Sequence, residues 1–157
     1  MAPQLWLLRH GEAVPHESKS DADRELTPRG ERQAIAAGDG LARLGLEFDA
    51  CYSSPKMRAL QTAELACRPL NIEPLEETAL ADGFSREDAL ELLYRHGDEA
   101  HVLVVGHEPS FSQVVHDLTG ARIDFKKGGV AAVRAERTSC ELLVLLRPRE
   151  LESLARS

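Results

Sequence analysis

Two short, nearly unbroken apolar runs, QLWLL at 4–8 and HVLVVG at 101–106, constrain the fold most. A strand without polar alternation is buried on both faces, which is the condition of a sheet covered by helices on either side. Helical patterns fill the intervals between such runs. The segment ELTPRGERQAIAAGDGLARLG at 25–45 has Ala34, Ala37, Leu41 and Leu44 at helical spacing, Thr27 as N-cap, Pro28 in the first turn and Gly45 as a stop. A second strand is expected in FDACYSSP (48–55), followed by a helix over roughly 55–67 that Ser54 caps and Pro55 opens. IEPLEE (72–77) reads as a third strand. Ser85 and Asp88 form a capping-box pattern ahead of REDALELLYRHG (86–97). After HVLVVG, a helix carries Phe111, Val114, Val115 and Leu118. GVAAVRA (129–135) and CELLVLLRP (140–148), joined by the polar ERTS, read as an antiparallel pair.

Strands alternating with helices predict a three-layer α/β/α sandwich around a mostly parallel, mixed sheet, with one domain over residues 1–157. Such sheets bind ligands beyond the carboxyl ends of their strands. Three polar clusters fall there: RHGEA after the first strand, SSPKMR after the second and GHEPS after the fourth.

Composition narrows the partners. The net charge of −7 lacks the basic footprint that nucleic-acid binding requires, so an anion site must be made positive locally. The longest apolar run, LLVLL at 142–146, is too short to span a membrane, and the N-terminal run lacks the basic flank of a signal peptide. Three widely spaced cysteines, Cys51, Cys67 and Cys140, include no C-x-x-C pair and read as reduced core thiols. Together these features predict a cytoplasmic protein without nucleic-acid or membrane partners.

Arg9, His10, Arg58 and His107 are the chemically informative set. Two guanidiniums bind phosphate oxygens in bidentate fashion and stay charged at any working pH. The helix start near Ser54 adds a positive dipole end. Of two imidazoles, one can attack phosphorus while the other donates a hydrogen bond to a phosphoryl oxygen. Phosphoryl transfer depends mainly on positioning and electrostatics, so this set needs neither metal nor cofactor.

These blocks carry a family resemblance. LLRHGEA (7–13) resembles the R-H-G motif of the histidine phosphatase, or phosphoglycerate mutase-like, superfamily. YSSPKMRALQTAE (52–64) resembles its second block and VVGHEPSFS (104–112) its third, in the family's order. The resemblance implies that His10 becomes a phosphohistidine, with Arg9, Arg58 and His107 binding the phosphoryl group. The short chain, GHEPSFS and FKKGGVAAV (125–133) are most similar to phosphohistidine phosphatases of the SixA type. Larger relatives carry an insertion that covers the site, and here only about fifteen residues, Pro69 to Gly83, could serve. Glu77, in PLEET, is the candidate general acid, with Asp82 and Glu108 behind it, although the usual glycine-rich continuation is missing.

The expected substrate is therefore phosphohistidine on a protein, with a small phosphorylated metabolite as the alternative. A non-catalytic phosphate-binding module is the rival of another class. Lys126 and Lys127 read as loop solvation, and His16, His96, His101 and His116 belong to no pattern. Glu12 makes a His-x-Glu pair with His10, but the P-C-x-x-C partner of a zinc deaminase is absent, as is H-E-x-x-H.

Overall fold

The structure, a computed structural model, describes residues 2–17, 19–136 and 139–157. Six strands form one sheet: β1 (Gln4–Arg9), β2 (Ala50–Ser53), β3 (Pro74–Glu76), β4 (His101–Gly106), β5 (Val130–Ala135) and β6 (Cys140–Leu146). Their order across the sheet is β3-β2-β4-β1-β5-β6. The four strands from β3 to β1 pair in parallel, while β5 and β6 are antiparallel additions. Among the described residues there are five α-helices: α1 (Pro28–Arg43), α2 (Met57–Cys67), α3 (Arg86–Tyr94), α4 (Ser110–Thr119) and α5 (Pro148–Ala155). The result is the expected α/β fold with a mixed sheet.

The two apolar runs are the central strands β4 and β1, in direct register from Gln4 opposite His101 to Arg9 opposite Gly106. Alternate side chains feed two separate cores. Leu5, Leu7, Val102 and Val104 pack with Phe84, Leu92 and Phe111 on the α3–α4 side. Trp6, Leu8, Leu103 and Val105 pack with Ala37, Leu41, Ala59 and Leu151 on the α1–α2–α5 side. The nearly unbroken apolar runs are thus the consequence of burial on both faces.

Local signals fare unevenly. Thr27 accepts a hydrogen bond from Gly30 N at 3.1 Å, so it caps α1 as its sequence implies. The Ser85–Asp88 capping box is also formed. Helix α2, however, starts at Met57 with Lys56 as N-cap, not at Ser54 and Pro55. Ser54 is drawn away because its hydroxyl accepts the Lys56 N–H at 3.2 Å and meets His107. The positive end of α2 accordingly lies farther along the chain than expected. Pro148 does not close β6. It opens α5, whose Leu151 is fully buried against α1. In the β5–β6 connection, residues 137 and 138 of ERTS lie outside the described residues.

Candidate active site

The polar clusters converge because β1, β2 and β4 are neighbours running in one direction, so their carboxyl ends share one edge. Arg9 is the last residue of β1 and His10 follows it. The His10 amide donates to Gly106 O at 3.0 Å, which ties the first cluster to the third. The His10 and His107 rings lie 5.2 Å apart between centroids, tilted by 56°. Both histidines and Arg58 are buried.

His10 is oriented by its own chain. Its Nδ1 lies 2.7 Å from Gly11 O, a carbonyl that can only accept, so Nδ1 carries the proton and Nε2 keeps its lone pair. That carbonyl is held in place by the next peptide contacts. Gly11 N donates to Thr62 Oγ1 at 3.1 Å, and Thr62 Oγ1 donates to Arg58 O at 2.8 Å. The R-H-G glycine has a packing reason. A Cβ on Gly11 would sit 2.5 Å from Gly30 O, so α1 could not cross so close to His10.

Burial first, then the charges of the neighbouring His107, Arg58 and Arg9, push His10 from the ordinary 6.5 down to about 3, against the Gly11 hydrogen bond. His107 falls to about 4 through burial, Arg58 and Lys56, partly opposed by Asp21 and Asp82. Both imidazoles are therefore neutral near pH 7. His107 Nε2 sits 2.7 Å from Ser54 Oγ. His107 Nδ1 and Arg9 Nε are buried without a hydrogen-bond partner among the described residues. Unpartnered buried polar atoms are costly in a fold, and two of the three found among the described residues lie here, the third being Arg134 Nε. Arg9 also donates through Nη1 to Phe125 O at 2.7 Å, which fixes the guanidinium beside the histidines.

Arg58 points to the same centre but is clasped from outside. Its Nη1 donates to Asp21 O at 2.7 Å, and its Nη2 lies 3.4 Å from the Asp21 carboxylate. Asp21 belongs to a short 3₁₀ turn, Asp21–Asp23, in a polar segment without periodicity, so no sequence signal marks it. Lys56 Nζ reaches Asp21 at 3.0 Å and Asp82 at 2.9 Å, forming a charged rim. Lys56 and Arg58 hold the Asp21 carboxyl well below the usual carboxylate range.

The three candidate acids have different fates. Glu77 pairs with Arg95 at 3.3 Å. Glu108 accepts from both Ser112 N and Ser112 Oγ at 2.7 Å, at the start of α4. Asp82 is exposed, and its charge acts on His107. The geometry thus joins Arg9, His10, Arg58 and His107 but leaves Glu77 apart from them. Sequence reasoning missed Asp21, Lys56 and Thr62. Thr62 alone had a signal, four residues after Arg58 on one helix face. No group of three His, Cys, Asp or Glu residues that could hold a metal occurs among the described residues. No helix there is long and apolar enough to cross a membrane.

The family model of the histidine phosphatase superfamily (branch 1) matches residues 5–84. The chain belongs to this superfamily. An uncharacterized protein of Picosynechococcus is 32% identical, aligned over 94% of this chain and 98% of its own length. Among solved structures, the protein histidine phosphatase SixA complexed with tungstate superposes with a TM-score of 0.85 at 26% identity, covering 94% of this chain and 99% of SixA. A phosphoglycerate mutase from Bacillus anthracis shares the fold, with a TM-score of 0.76 at 14% identity over 99% of this chain and 97% of its own. A histidine phosphatase with SixA neighbours is a hydrolase of phosphorylated substrates, and the matched residues include Arg9, His10 and Arg58.

Proposed function

We propose that this histidine phosphatase removes phosphate from phosphohistidine on proteins, with His10 as nucleophile. The observation that carries the reading is the buried, neutral His10 whose Nδ1 is engaged by Gly11 O, beside Arg9, Arg58 and His107. A nucleophile must be unprotonated at the attacking atom, and burial meets that need at neutral pH.

In the first step the Nε2 lone pair attacks phosphorus in line. The bond from phosphorus to the leaving nitrogen breaks, and the imidazole leaves with a proton from solvent. In the second step water attacks the phosphorus of phospho-His10. The P–Nε2 bond breaks, phosphate departs, and the water proton passes to solvent. Arg9 and Arg58 neutralise the equatorial oxygens throughout. Ser54 Oγ accepts from Lys56 N–H, so donation of its own proton to His107 Nε2 satisfies both groups and puts the His107 proton on Nδ1. That proton is then available to a phosphoryl oxygen.

The substrate assignment is supported by the likeness to SixA and by the acids. Glu77 pairs with Arg95 and Glu108 accepts from Ser112, and an imidazole leaving group demands less proton donation than an alkoxide. The retained four-residue set speaks against an idle phosphate-binding module, and the positive charge already present speaks for metal-independent turnover. The test compares kcat/KM for a phosphohistidine protein with a panel of sugar phosphates, phosphoserine and phosphoglycerate. The phosphoprotein is expected to lead, with weak turnover of an aryl phosphate. A metabolite handled about 100-fold better, or about 2.7 kcal/mol in transition-state stabilisation, would reassign the substrate.

A further inference from the structure

Beside the phosphoryl site, and sharing Arg9 with it, lies a groove of about 630 Å³. Arg9, Arg29, Lys126, Lys127, Arg147 and Arg149 line it, against two acidic residues, Glu12 and Glu152. In a chain of net charge −7, such a concentration of cations is a local property of this face. Arg9 belongs to both sites, so the groove opens directly onto the nucleophile's neighbour.

The groove is built from four segments, the end of β1 with Arg9 and Glu12 among them. Arg29 stands in the first turn of α1, and Arg147 and Arg149 flank the start of α5. Lys126 and Lys127 ride on a turn joined to the catalytic strand. Gly128 N is 3.0 Å from both Arg9 O and His10 O, and Arg9 N donates to Gly129 O at 3.0 Å. Gly128 adopts φ +76°, and a Cβ there would meet Gln33 Cβ at 2.8 Å, so the turn can lie this close only with glycine. Some of the charge is already matched. Arg147 is held by Glu150 and Lys126 by Asp124, both at 2.8 Å, and Arg29 is 3.9 Å from Glu12. Lys127 has no ion-pair partner among the described residues.

We propose that this groove docks an acidic segment of the phosphorylated protein and so delivers its phosphorylated side chain to His10. The proposal rests on the protein-phosphatase reading above. Several dispersed, solvent-facing cations suit several carboxylates spread along a protein surface. A single small anion would instead call for converging buried donors, and Arg29 and Arg149 are 69% and 75% exposed. No aromatic side chain lines the groove to stack a nucleobase. The floor therefore recognises the phosphoryl group, and the groove selects the protein that carries it.

Two phosphohistidine peptides of equal length provide the probe, one flanked by glutamates and the other by lysines. The glutamate peptide should show roughly tenfold higher kcat/KM at low ionic strength, and the advantage should shrink as salt is added. The double variant Lys127→Glu/Arg149→Glu should abolish the preference while keeping aryl phosphate turnover within about twofold, since exposed charges act on encounter more than on chemistry. Arg29→Glu, on another helix, repeats the test should the double variant fold poorly. A second measurement follows binding of an unphosphorylated glutamate-rich peptide to the His10→Ala protein by fluorescence anisotropy. Salt-sensitive binding that the double variant loses supports the groove even if phosphohistidine proves not to be the substrate. Equal turnover of the two peptides, a preference unchanged in the variants, or an RNA oligonucleotide of the same charge competing as well as the glutamate peptide would overturn it.

Discussion

The floor and the rim of the site use the same kinds of residue to opposite ends. On the floor, His10 and His107 are buried and neutral, each held by a neutral partner, Gly11 O or Ser54 Oγ. At the rim, Asp21, Lys56 and Asp82 are charged and compensate one another through ion pairs near 3 Å, with the Asp82 side chain 84% exposed. Burial shifts a proton equilibrium by several units, whereas exposed pairs contribute little and are screened by salt. Under the proposed function, the difference confines chemistry to the dry end of the site and leaves the charged rim in contact with solvent.

Replacing the proposed nucleophile tests that division most severely. His10→Ala should lower turnover by on the order of 10⁴-fold or more with the fold intact by circular dichroism. In the wild-type protein, acid-labile, base-stable phosphate should be trapped on His10. Retention of wild-type turnover by the alanine variant would place the chemistry elsewhere.

Arg58→Ala should come next. Loss of one fixed donor to a developing anion costs about 10² to 10³ in kcat. Vanadate or tungstate should bind more weakly to this variant by a similar measure in competition assays. A drop confined to KM would move Arg58 from the floor to the rim.

Stability against pH reads the floor without any substrate. In the unfolded chain the two histidines titrate near 6.5, but in the folded protein near about 3 and 4. Between these limits the unfolded chain binds protons that the folded one refuses. Stability is therefore full above pH 6.5 and falls as pH drops through the window, by about 1.4 kcal/mol per unit and per histidine well inside it. The depressed carboxyl of Asp21 acts below that range. Denaturant midpoints at pH 7 and pH 5 should differ accordingly, and His107→Asn should flatten the slope. A flat wild-type profile would mean that burial of the floor is not what keeps the histidines neutral.

The smallest effect is expected at Glu77. Because it pairs with Arg95 across a partly exposed contact, Glu77→Gln should change kcat less than about threefold and stability by at most about 1 kcal/mol. A general acid would cost about 10² or more. Prolonged dialysis against a chelator should likewise leave the rate unchanged, and a loss restored by a divalent ion would point to a metal site.

Much of this molecule was legible in one dimension. The unbroken runs of β1 and β4 declared a sheet covered on both faces, because a strand with a wet face alternates. Thr27 and the Ser85–Asp88 box announced helix starts through bonds made within three residues. Arg9, His10, Arg58 and His107 were nameable because each directly follows or closes a strand, or opens a helix, at one sheet edge. What escaped depended on partners distant in sequence. Ser54 was free by local rules to cap α2, yet it meets His107, 53 residues away. Pro148 looked like a strand's end until α1 supplied the surface that makes α5 worth folding. Glu77 had a plausible address in the chain, but Arg95 claims its carboxylate. Asp21 and the cationic groove left no periodic trace, since turns and helix ends from separate segments compose them. Backbone propensity and hydrophobic period are properties of neighbours in the chain, so sequence determined the layers and the polar residues that gather at one sheet edge. Charge pairing, burial and the protonation they set depend on neighbours in space, and only the tertiary structure decided them.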